Sequence, residues 1–159
     1  MNPPDRAVRI AVCGAGVADD GLIGVAERLG RAIAEAGAIL ICGGLGGVME
    51  GAARGAAEGG GLTIGVLPGT DASAANRWIR IPLPSGMGEM RNALVVRFAD
   101  AVIAVGGEWG TLSEIALARK MEIPVVLLGP GPADRMGLET TGDPAAAVRA
   151  ALDSVARVR

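Results

Sequence analysis

Short apolar runs alternate along the chain with stretches of helical spacing. Each run is short and rich enough in β-branched residues to predict a buried strand. The stretches between them place apolar residues three and four positions apart, as amphipathic helices do. The predicted strands are residues 7–13, 38–42, 62–67, 101–105 and 123–128, with a shorter extended piece at 78–83. The predicted helices are residues 22–36, 48–58, 87–99, a helix from about 111, and 143–158.

This alternation predicts an α/β fold, a Rossmann-like doubly wound sheet that is mainly parallel, with helices on both faces. The chain has 159 residues and shows no internal repeat or boundary, so we expect a single domain over residues 1–159. Half of the residues are hydrophobic but only 2% are aromatic, which predicts an aliphatic core of buried parallel strands. In such a sheet the ligand crevice lies beyond the carboxyl ends of the strands.

Charge and residue usage exclude several classes of function. The formal net charge is −2 and the basic residues are scattered arginines, which predicts no nucleic-acid partner. Histidine is absent, which excludes a histidine-based triad, and no metal site is visible. Cys13 and Cys42 end adjacent predicted strands and fit small buried side chains better than a reactive pair. No apolar run approaches the roughly 18 residues of a membrane span and no signal peptide is evident, so we expect a cytoplasmic protein without a membrane partner.

Glycine-rich turns follow the predicted strands, where a parallel sheet binds its ligand. Glycine permits tight turns and close approach of the backbone to a ligand. A helix that begins at such a turn offers free amides to a phosphate. With a further turn at residues 86–88, these glycines predict a nucleotide or phosphate site. The candidate ligand-binding glycines are Gly14, Gly16, Gly43, Gly44, Gly46, Gly47, Gly106, Gly107 and Gly110.

The common signatures of nucleotide sites are missing. The turn after the first predicted strand has no third glycine at the spacing of a dinucleotide fingerprint. Cys42 and Gly43 end the second predicted strand, where a ribose-binding acid would belong. The chain has no G-K-[ST] phosphate loop. Lys120, the single lysine, is predicted to lie late in a helix and exposed, which argues against a pyridoxal-phosphate mechanism.

Two polar residues carry the candidate chemistry, and each has an alternative structural role. Thr111 and Glu114 have the T-x-x-E spacing of a helix capping box, so Glu114 either faces the crevice or only caps its own helix. Arg91 lies on the helix that leads to the central strand, and its guanidinium suits bidentate binding of a phosphate. The alternative for Arg91 is a surface side chain paired with Glu89 or Asp100.

Four segments together resemble a known superfamily. They are G-G-L-G-G-V-M-E-G-A (43–52), G-x-x-I-G-V-L-P (61–68), M-R-N (90–92) and G-G-E-W-G-T-L-S-E (106–114). Their order is similar to that of the LONELY GUY superfamily, whose Rossmann-like members are often labelled "possible lysine decarboxylase". The resemblance covers roughly residues 7–128 and implies a homodimer or homotetramer. The position of Lys120 gives the decarboxylase label no support.

One branch of this superfamily activates cytokinins by hydrolysing the N-glycosidic bond of nucleoside 5′-monophosphates. Its signature is P-G-G-x-G-T-x-x-E, preceded by an E-R-K element, and its arginine and final glutamate match Arg91 and Glu114. The resemblance implies that these two residues assist loss of the base, since a carboxylate stabilises an oxocarbenium-like centre. It also implies that Thr111 and the glycine turns hold the phosphate. The departures from the signature are Gly106 for the proline, Glu108 for the second glycine and Asn92 for the lysine.

The G-G-E-x-G-T form and the short chain are more similar to the branch that includes molybdenum-cofactor carrier proteins, which bind a pterin monophosphate. This resemblance implies a ligand held by the glycine turns together with Met90, Arg91 and Thr111. We therefore predict a carrier-like protein that binds a small phosphate-bearing molecule, either molybdopterin, the molybdenum cofactor or an AMP-like nucleotide. The alternative is a phosphoribohydrolase that releases free base and ribose 5-phosphate, and a nucleotide sensor is a third possibility. The sequence leaves open whether the protein is an enzyme.

Overall fold

The computed structural model describes residues 6–158, which form seven strands, five α-helices and two short 3-10 turns. The strands are β1 (Arg9–Gly14), β2 (Ile39–Cys42), β3 (Thr63–Leu67), β4 (Ile81–Pro84), β5 (Ala101–Val105), β6 (Val125–Leu128) and β7 (Glu139–Thr141). The helices are α1 (Asp20–Glu35), α2 (Val48–Glu58), α3 (Asn92–Arg97), α4 (Trp109–Lys120) and α5 (Pro144–Val158). The 3-10 turns are Ala72–Ala74 and Gly88–Arg91.

All seven strands of the described chain belong to one sheet in the order β4-β3-β2-β1-β5-β6-β7, and every neighbouring pair is parallel. The predicted Rossmann-like α/β fold is therefore confirmed. The chain proceeds outward from β1 to β4 and then crosses back to β5, which pairs with the other side of β1. This crossing creates a topological switch point, where Gly14 lies opposite Val105 at the carboxyl ends of the two strands.

The sheet is covered on both faces, because alternate residues of each strand face different helices. Val12 and Ile103 belong to a core cluster that includes residues of α1, α2 and α5. Ala11 belongs to the opposite cluster, which includes residues of α3 and α4. Cys42 lies in the first cluster and Cys13 in the second, so the two buried thiols are on opposite faces of the sheet. This arrangement fits the prediction of two small buried side chains.

Several predicted boundaries agree with the structure. Gly37 follows the end of α1 with a φ of 70°, as a glycine after a helix commonly does. The carboxylate of Asp143 accepts a hydrogen bond from the Ala146 amide at 2.9 Å, and Pro144 begins α5. Pro82 lies in β4, an edge strand, where its missing amide breaks no hydrogen bond with a further strand.

Three elements differ from the sequence-based predictions. The helix predicted at 87–99 is a 3-10 turn followed by the short α3, because Gly86 and Gly88 adopt φ angles of 66° and 56° that interrupt a regular helix. The helix predicted from residue 111 begins at Trp109. Strand β7 was not predicted, because its sequence E-T-T has no apolar alternation.

Candidate functional site

Two glycine turns lie side by side beyond the carboxyl ends of β1 and β5. Helix α4 begins directly after the second turn, with Glu108 as its N-cap residue and Thr111 as its third residue. The predicted capping box is therefore wrong. Thr111 and Glu114 are instead buried side chains, 3% and 8% exposed, that line a cavity at this edge of the sheet.

The turn before α4 requires glycine and brings Thr111 close to the backbone. Gly107 has a φ of 100°, and a Cβ atom there would overlap the Thr111 side chain. The amides of Gly110 and Thr111 lie in the first turn of α4, where no acceptor exists within the helix. They carry the positive end of the helix dipole at the cavity, which favours an anionic ligand.

The cavity at the switch point, which we call the inner cavity, has a volume of about 220 Å³. The predicted site residues that line it are Gly14, Gly16, Gly43, Arg91, Gly110, Thr111 and Glu114. Its other lining residues are Val12, Cys13, Leu45, Met49, Glu89 and Asn92. Leu45, Met49 and Asn92 lie within the segments that resemble the superfamily, whereas only closeness in sequence to the glycine turns and to Arg91 indicates Val12, Cys13 and Glu89.

The remaining predicted ligand residues do not line the inner cavity: Gly44, Gly46, Gly47, Gly106, Gly107 and Met90. Gly47 precedes α2, and the amide of the next residue, Val48, donates to the Ala15 carbonyl at 2.9 Å. One amide at the amino end of α2 is therefore used to join the first two glycine turns. The Met90 side chain is 72% exposed.

Arg91 is the buried cation of the inner cavity, with an exposed fraction of 7%. One Nη atom donates to the Gly43 carbonyl at 3.4 Å, and the other donates to the side-chain oxygen of Asn92. The buried Nε atom has no hydrogen-bond partner in the described chain. No ion pair within residues 6–158 includes Arg91, and Asp100 pairs with other arginines. The surface-arginine alternative is therefore wrong, and the buried guanidinium makes no direct ion pair with a carboxylate of the described chain.

The turn after β2 and the residue after Arg91 hold the guanidinium in place. A Cβ atom at Gly43 would lie 2.7 Å from an Arg91 Nη atom and 2.6 Å from the Met49 sulfur, so glycine is needed for this approach. Asn92 is 8% exposed and accepts a hydrogen bond from Arg91. The neutral amide of Asn92 thus orients the guanidinium of Arg91. The E-R-K element of the cytokinin-activating branch has a lysine at the position of Asn92.

Glu114 is a buried carboxyl group with an unusual pKa. Burial raises the pKa of Glu114 to about 7, and the charge of Glu89 acts in the same direction. Hydrogen bonding with the Cys13 thiol and the positive charge of Arg91 oppose that rise. A carboxyl group with a pKa near neutrality can hold or release a proton at the pH of the cell.

The two cysteines differ in their relation to the site. Burial raises the pKa of the Cys13 thiol well above its usual value, and the neighbouring Glu114 adds to this, so Cys13 stays a neutral lining residue. Burial raises the pKa of Cys42 to about 12. The Cys42 sulfur accepts a hydrogen bond from the Gly44 amide at 3.4 Å, so it shapes the turn after β2.

A second cavity of about 360 Å³, which we call the outer cavity, adjoins the first. It is lined by Gly14, Ala15, Gly16, Val17, Glu108, Gly110 and Thr111. Glu108 therefore lies on the wall of the site, and its side chain is exposed. A carboxylate at this position would repel a phosphate bound beside it, so a phosphate in this site has to bind away from Glu108.

A larger cavity of about 600 Å³ lies at the opposite, amino edge of the sheet, beside Arg77, Trp78 and Arg80. It is an open depression between the end of α2 and the segment before β4. Both arginines are exposed, and Arg77 stacks over the Trp78 ring at 5.2 Å. Because none of its charged groups is buried, we place the candidate site in the smaller cavities at the carboxyl edge.

Within residues 6–158, no group of three or more cysteine, aspartate or glutamate side chains could hold a metal ion. None of the helices in this range is long and apolar enough to cross a membrane.

Comparisons with known proteins agree on the type of fold. A family model described as the SLOG cluster4 family matches residues 7–154. An uncharacterized protein of Archaeoglobus fulgidus is 41% identical over 131 residues, which cover 78% of this chain and 86% of that protein.

Two solved structures resemble the chain over almost its whole length. The molybdenum cofactor binding protein from the phototrophic bacterium Rippkaea orientalis is 32% identical with a TM-score of 0.85, covering 97% of this chain and 98% of that one. The molybdenum cofactor carrier protein from Chlamydomonas reinhardtii is 36% identical with a TM-score of 0.84, covering 95% and 99%. The chain belongs to the SLOG cluster4 family, and its resemblance to the LONELY GUY superfamily and to the molybdenum-cofactor carrier branch is confirmed.

Proposed function

We propose that the protein binds a small phosphate-bearing ligand at the carboxyl edge of its sheet, and that it serves as a carrier for the molybdenum cofactor. Its similarity to proteins named as molybdenum cofactor carriers supports this role. In this proposal the cofactor is cargo, taken up and released unchanged. The chain needs only to hold its phosphate, accommodate its pterin ring and keep both from solvent.

The observation that carries the proposal is the state of Arg91. Its guanidinium is buried, one of its nitrogen atoms has no hydrogen-bond partner within the described residues, and no carboxylate pairs with it. A buried charge without a partner is unfavourable, so the folded chain offers a site that an anion completes. A phosphate supplies the negative charge and the acceptor oxygens.

The surrounding groups fit a phosphate as well. The first-turn amides of Gly110 and Thr111 line the same inner cavity as Arg91 and add donors from the positive end of α4. The absence of a side chain at Gly43 keeps the guanidinium close to the backbone. Glu114 and Glu89 are the unfavourable neighbours; Glu89 is exposed to solvent, and Glu114, with a pKa of about 7, can take up a proton when an anion binds.

Loading with cargo tests this proposal. The purified protein is incubated without oxygen with molybdenum cofactor released from a donor enzyme and is then passed through gel filtration. Molybdenum and oxidised-pterin fluorescence are expected to elute with the wild-type protein and with Arg80→Gln, an exposed arginine at the amino edge. Arg91→Gln is expected to lose both signals, while a wild-type protein that retains neither would contradict the carrier role.

A second candidate function, hydrolysis of a nucleoside 5′-monophosphate, is favoured by the position of Glu114. The residue does not cap α4, and it lines the inner cavity beside Arg91. A phosphate held at Arg91 would bring the N-glycosidic bond near this carboxyl group, which could stabilise positive charge on the sugar as the base leaves.

Incubation with AMP and related monophosphates separates the two functions. Release of free base that Glu114→Gln abolishes, and that the exposed Glu139→Gln control retains, would establish a hydrolase. Binding without any base release would leave the carrier role and make Glu114 a binding residue only.

A further inference from the structure

Glu108 is the charged residue of the outer cavity that the proposed function leaves without a role. Its exposed side chain makes no hydrogen bond to the first turn of α4. Within residues 6–158 it takes part in no ion pair. The fold therefore does not use this carboxylate, and it is available to a ligand.

The inner and outer cavities form one groove, because they share a set of lining residues: Gly14, Gly16, Gly110 and Thr111. Of these two cavities, Arg91 lines the inner one and Glu108 the outer one. The inner end of the groove therefore holds the cation Arg91 together with Glu89 and Glu114, and the outer end holds the carboxylate of Glu108 without a cation of the described chain. A phosphate is expected at the inner end, because Arg91 attracts it there, whereas within residues 6–158 no cation of the outer cavity offsets the repulsion by Glu108. The ring of the same ligand then reaches Glu108.

A carboxylate accepts hydrogen bonds and cannot donate them. Its most favourable partner on a flat ring is a pair of adjacent N–H donors, which it binds through two parallel charge-assisted hydrogen bonds. A 2-amino-4-oxopyrimidine ring has such a pair, a ring N–H beside an exocyclic amino group, and both pterin and guanine contain it. Adenine places a ring acceptor beside its amino group, so a carboxylate there meets a lone pair.

Building on the proposed function, we propose that Glu108 determines ligand specificity by binding the adjacent ring N–H and amino groups of a 2-amino-4-oxopyrimidine. The site then prefers a pterin or guanine ring to adenine. The Val17 side chain lines this end of the groove, and its exposed fraction is 93%. Apolar side chains at the mouth of a polar cavity suit the face of a flat ring.

Equilibrium titration of the full chain with GMP, IMP and AMP tests the role of Glu108, because the three share ribose and phosphate. GMP carries both donors, IMP only the ring N–H, and AMP lacks the pair. We expect the wild-type protein to bind GMP roughly tenfold tighter than AMP or better, with IMP between them. Glu108→Gln should bring GMP and AMP close together, because its amide can donate as well as accept.

The matched control is Glu35→Gln, an exposed glutamate at the end of α1 and the opposite edge of the sheet. It should keep the wild-type order of affinities. Thermal unfolding should be the same for both variants and the wild type, because both side chains are exposed. A Glu108→Gln variant that unfolds earlier is replaced by Glu108→Ala, for which the same loss of GMP preference is expected.

A wild-type protein without preference for GMP, or an unchanged preference in Glu108→Gln, overturns the assignment of Glu108. In that case competition by ribose 5-phosphate, which has no base, still supports the proposed phosphate site. Absence of binding by every monophosphate overturns both. If phosphorylated 6-hydroxymethylpterin binds more tightly than GMP, the preferred ligand of the site has a pterin ring. If GMP binds more tightly, the preferred ligand is a guanine nucleotide. Either order supports the role of Glu108.

Discussion

Arg91 and Glu114 are buried in one cavity, and each carries a charge that the fold satisfies only in part. Arg91 has hydrogen bonds to the Gly43 carbonyl and Asn92 but no ion pair among the described residues. Burial raises the pKa of Glu114 to about 7. Sites that bind charged ligands commonly reduce the stability of the free protein, since their groups are arranged for the complex.

Replacement of Arg91 by methionine separates stability from binding. The variant removes a buried charge that makes no direct ion pair and keeps a side chain of similar length, so we expect the ligand-free protein to be at least as stable as the wild type. Thermal unfolding measures this directly. The wild type should gain stability when GMP is added, and Arg91→Met should gain much less, because only the contact with the phosphate is lost. A marked loss of stability in ligand-free Arg91→Met would show that Arg91 mainly supports the fold.

Glu114 is expected to make stability depend on pH. Its pKa is about 7 when folded and about 4.5 when exposed, so the folded state binds the additional proton between these values. Stability therefore falls as the pH rises from about 4.5 to about 7, by about 3 kcal/mol from this residue. Urea unfolding at pH 5 and pH 8 should show this loss in the wild type and not in Glu114→Gln. Asp100, whose pKa is lowered mainly through Arg9, titrates alike in both proteins. Equal pH dependence of the two proteins would contradict a buried Glu114.

At the scale of elements, the apolar runs predicted the sheet because each strand except the two edge strands is covered on both faces. The edge strand β7 and the 3-10 turn before α3 depend on tertiary contacts and on the positive φ angles of single glycines, which spacing does not reveal. The start of α4 was missed because the T-x-x-E spacing is typical of a cap, whereas Thr111 and Glu114 lie within the helix. The motifs therefore predict which residues belong to the candidate site. They do not predict that side chains such as Thr111 and Glu114 are buried.

Gly107 provides a test of the turn that begins α4. Alanine at this position would be strained by the φ of 100° and would overlap Thr111. We expect Gly107→Ala to lower the free energy of unfolding by roughly 1–3 kcal/mol and to weaken ligand binding. Gly137→Ala is the control, since Gly137 also has a positive φ of 65° but an added Cβ atom there would meet nothing within 4 Å. A role for this turn in the site would be contradicted if Gly107→Ala and Gly137→Ala lost the same stability and Gly107→Ala bound the ligand as the wild type does.

At the scale of the whole molecule, the switch point brings the turns after β1 and β5 together, and the candidate site lies where they meet. The groove is polar, with the buried Arg91 at its inner end beside Glu89 and Glu114, and Glu108 at its outer end. The net charge of −2 carries no attraction for nucleic acid, and the expectation of no nucleic-acid partner stays a prediction.

Self-association is also expected from exposed apolar side chains on consecutive elements. Ile81, Leu83 and Met87 are 39%, 41% and 44% exposed along β4 and the turn after it. Exposed apolar patches commonly mark interfaces between proteins. Light scattering should give a mass of at least twice the 15.9 kDa of one chain. Leu83→Glu should reduce it, and Met136→Glu, a substitution of a 48% exposed residue elsewhere, should not. A monomeric wild type would contradict this expectation.

Binding of a phosphate group by Arg91 in the inner cavity is the central claim. Isothermal titration with IMP and with inosine tests it most directly, because the two ligands differ only in the phosphate. We predict that the wild type and Arg80→Gln bind IMP at least roughly tenfold more tightly than inosine, and that Arg91→Gln binds both equally. Equal affinities for IMP and inosine in the wild type, or an unchanged affinity for IMP in Arg91→Gln, would contradict it.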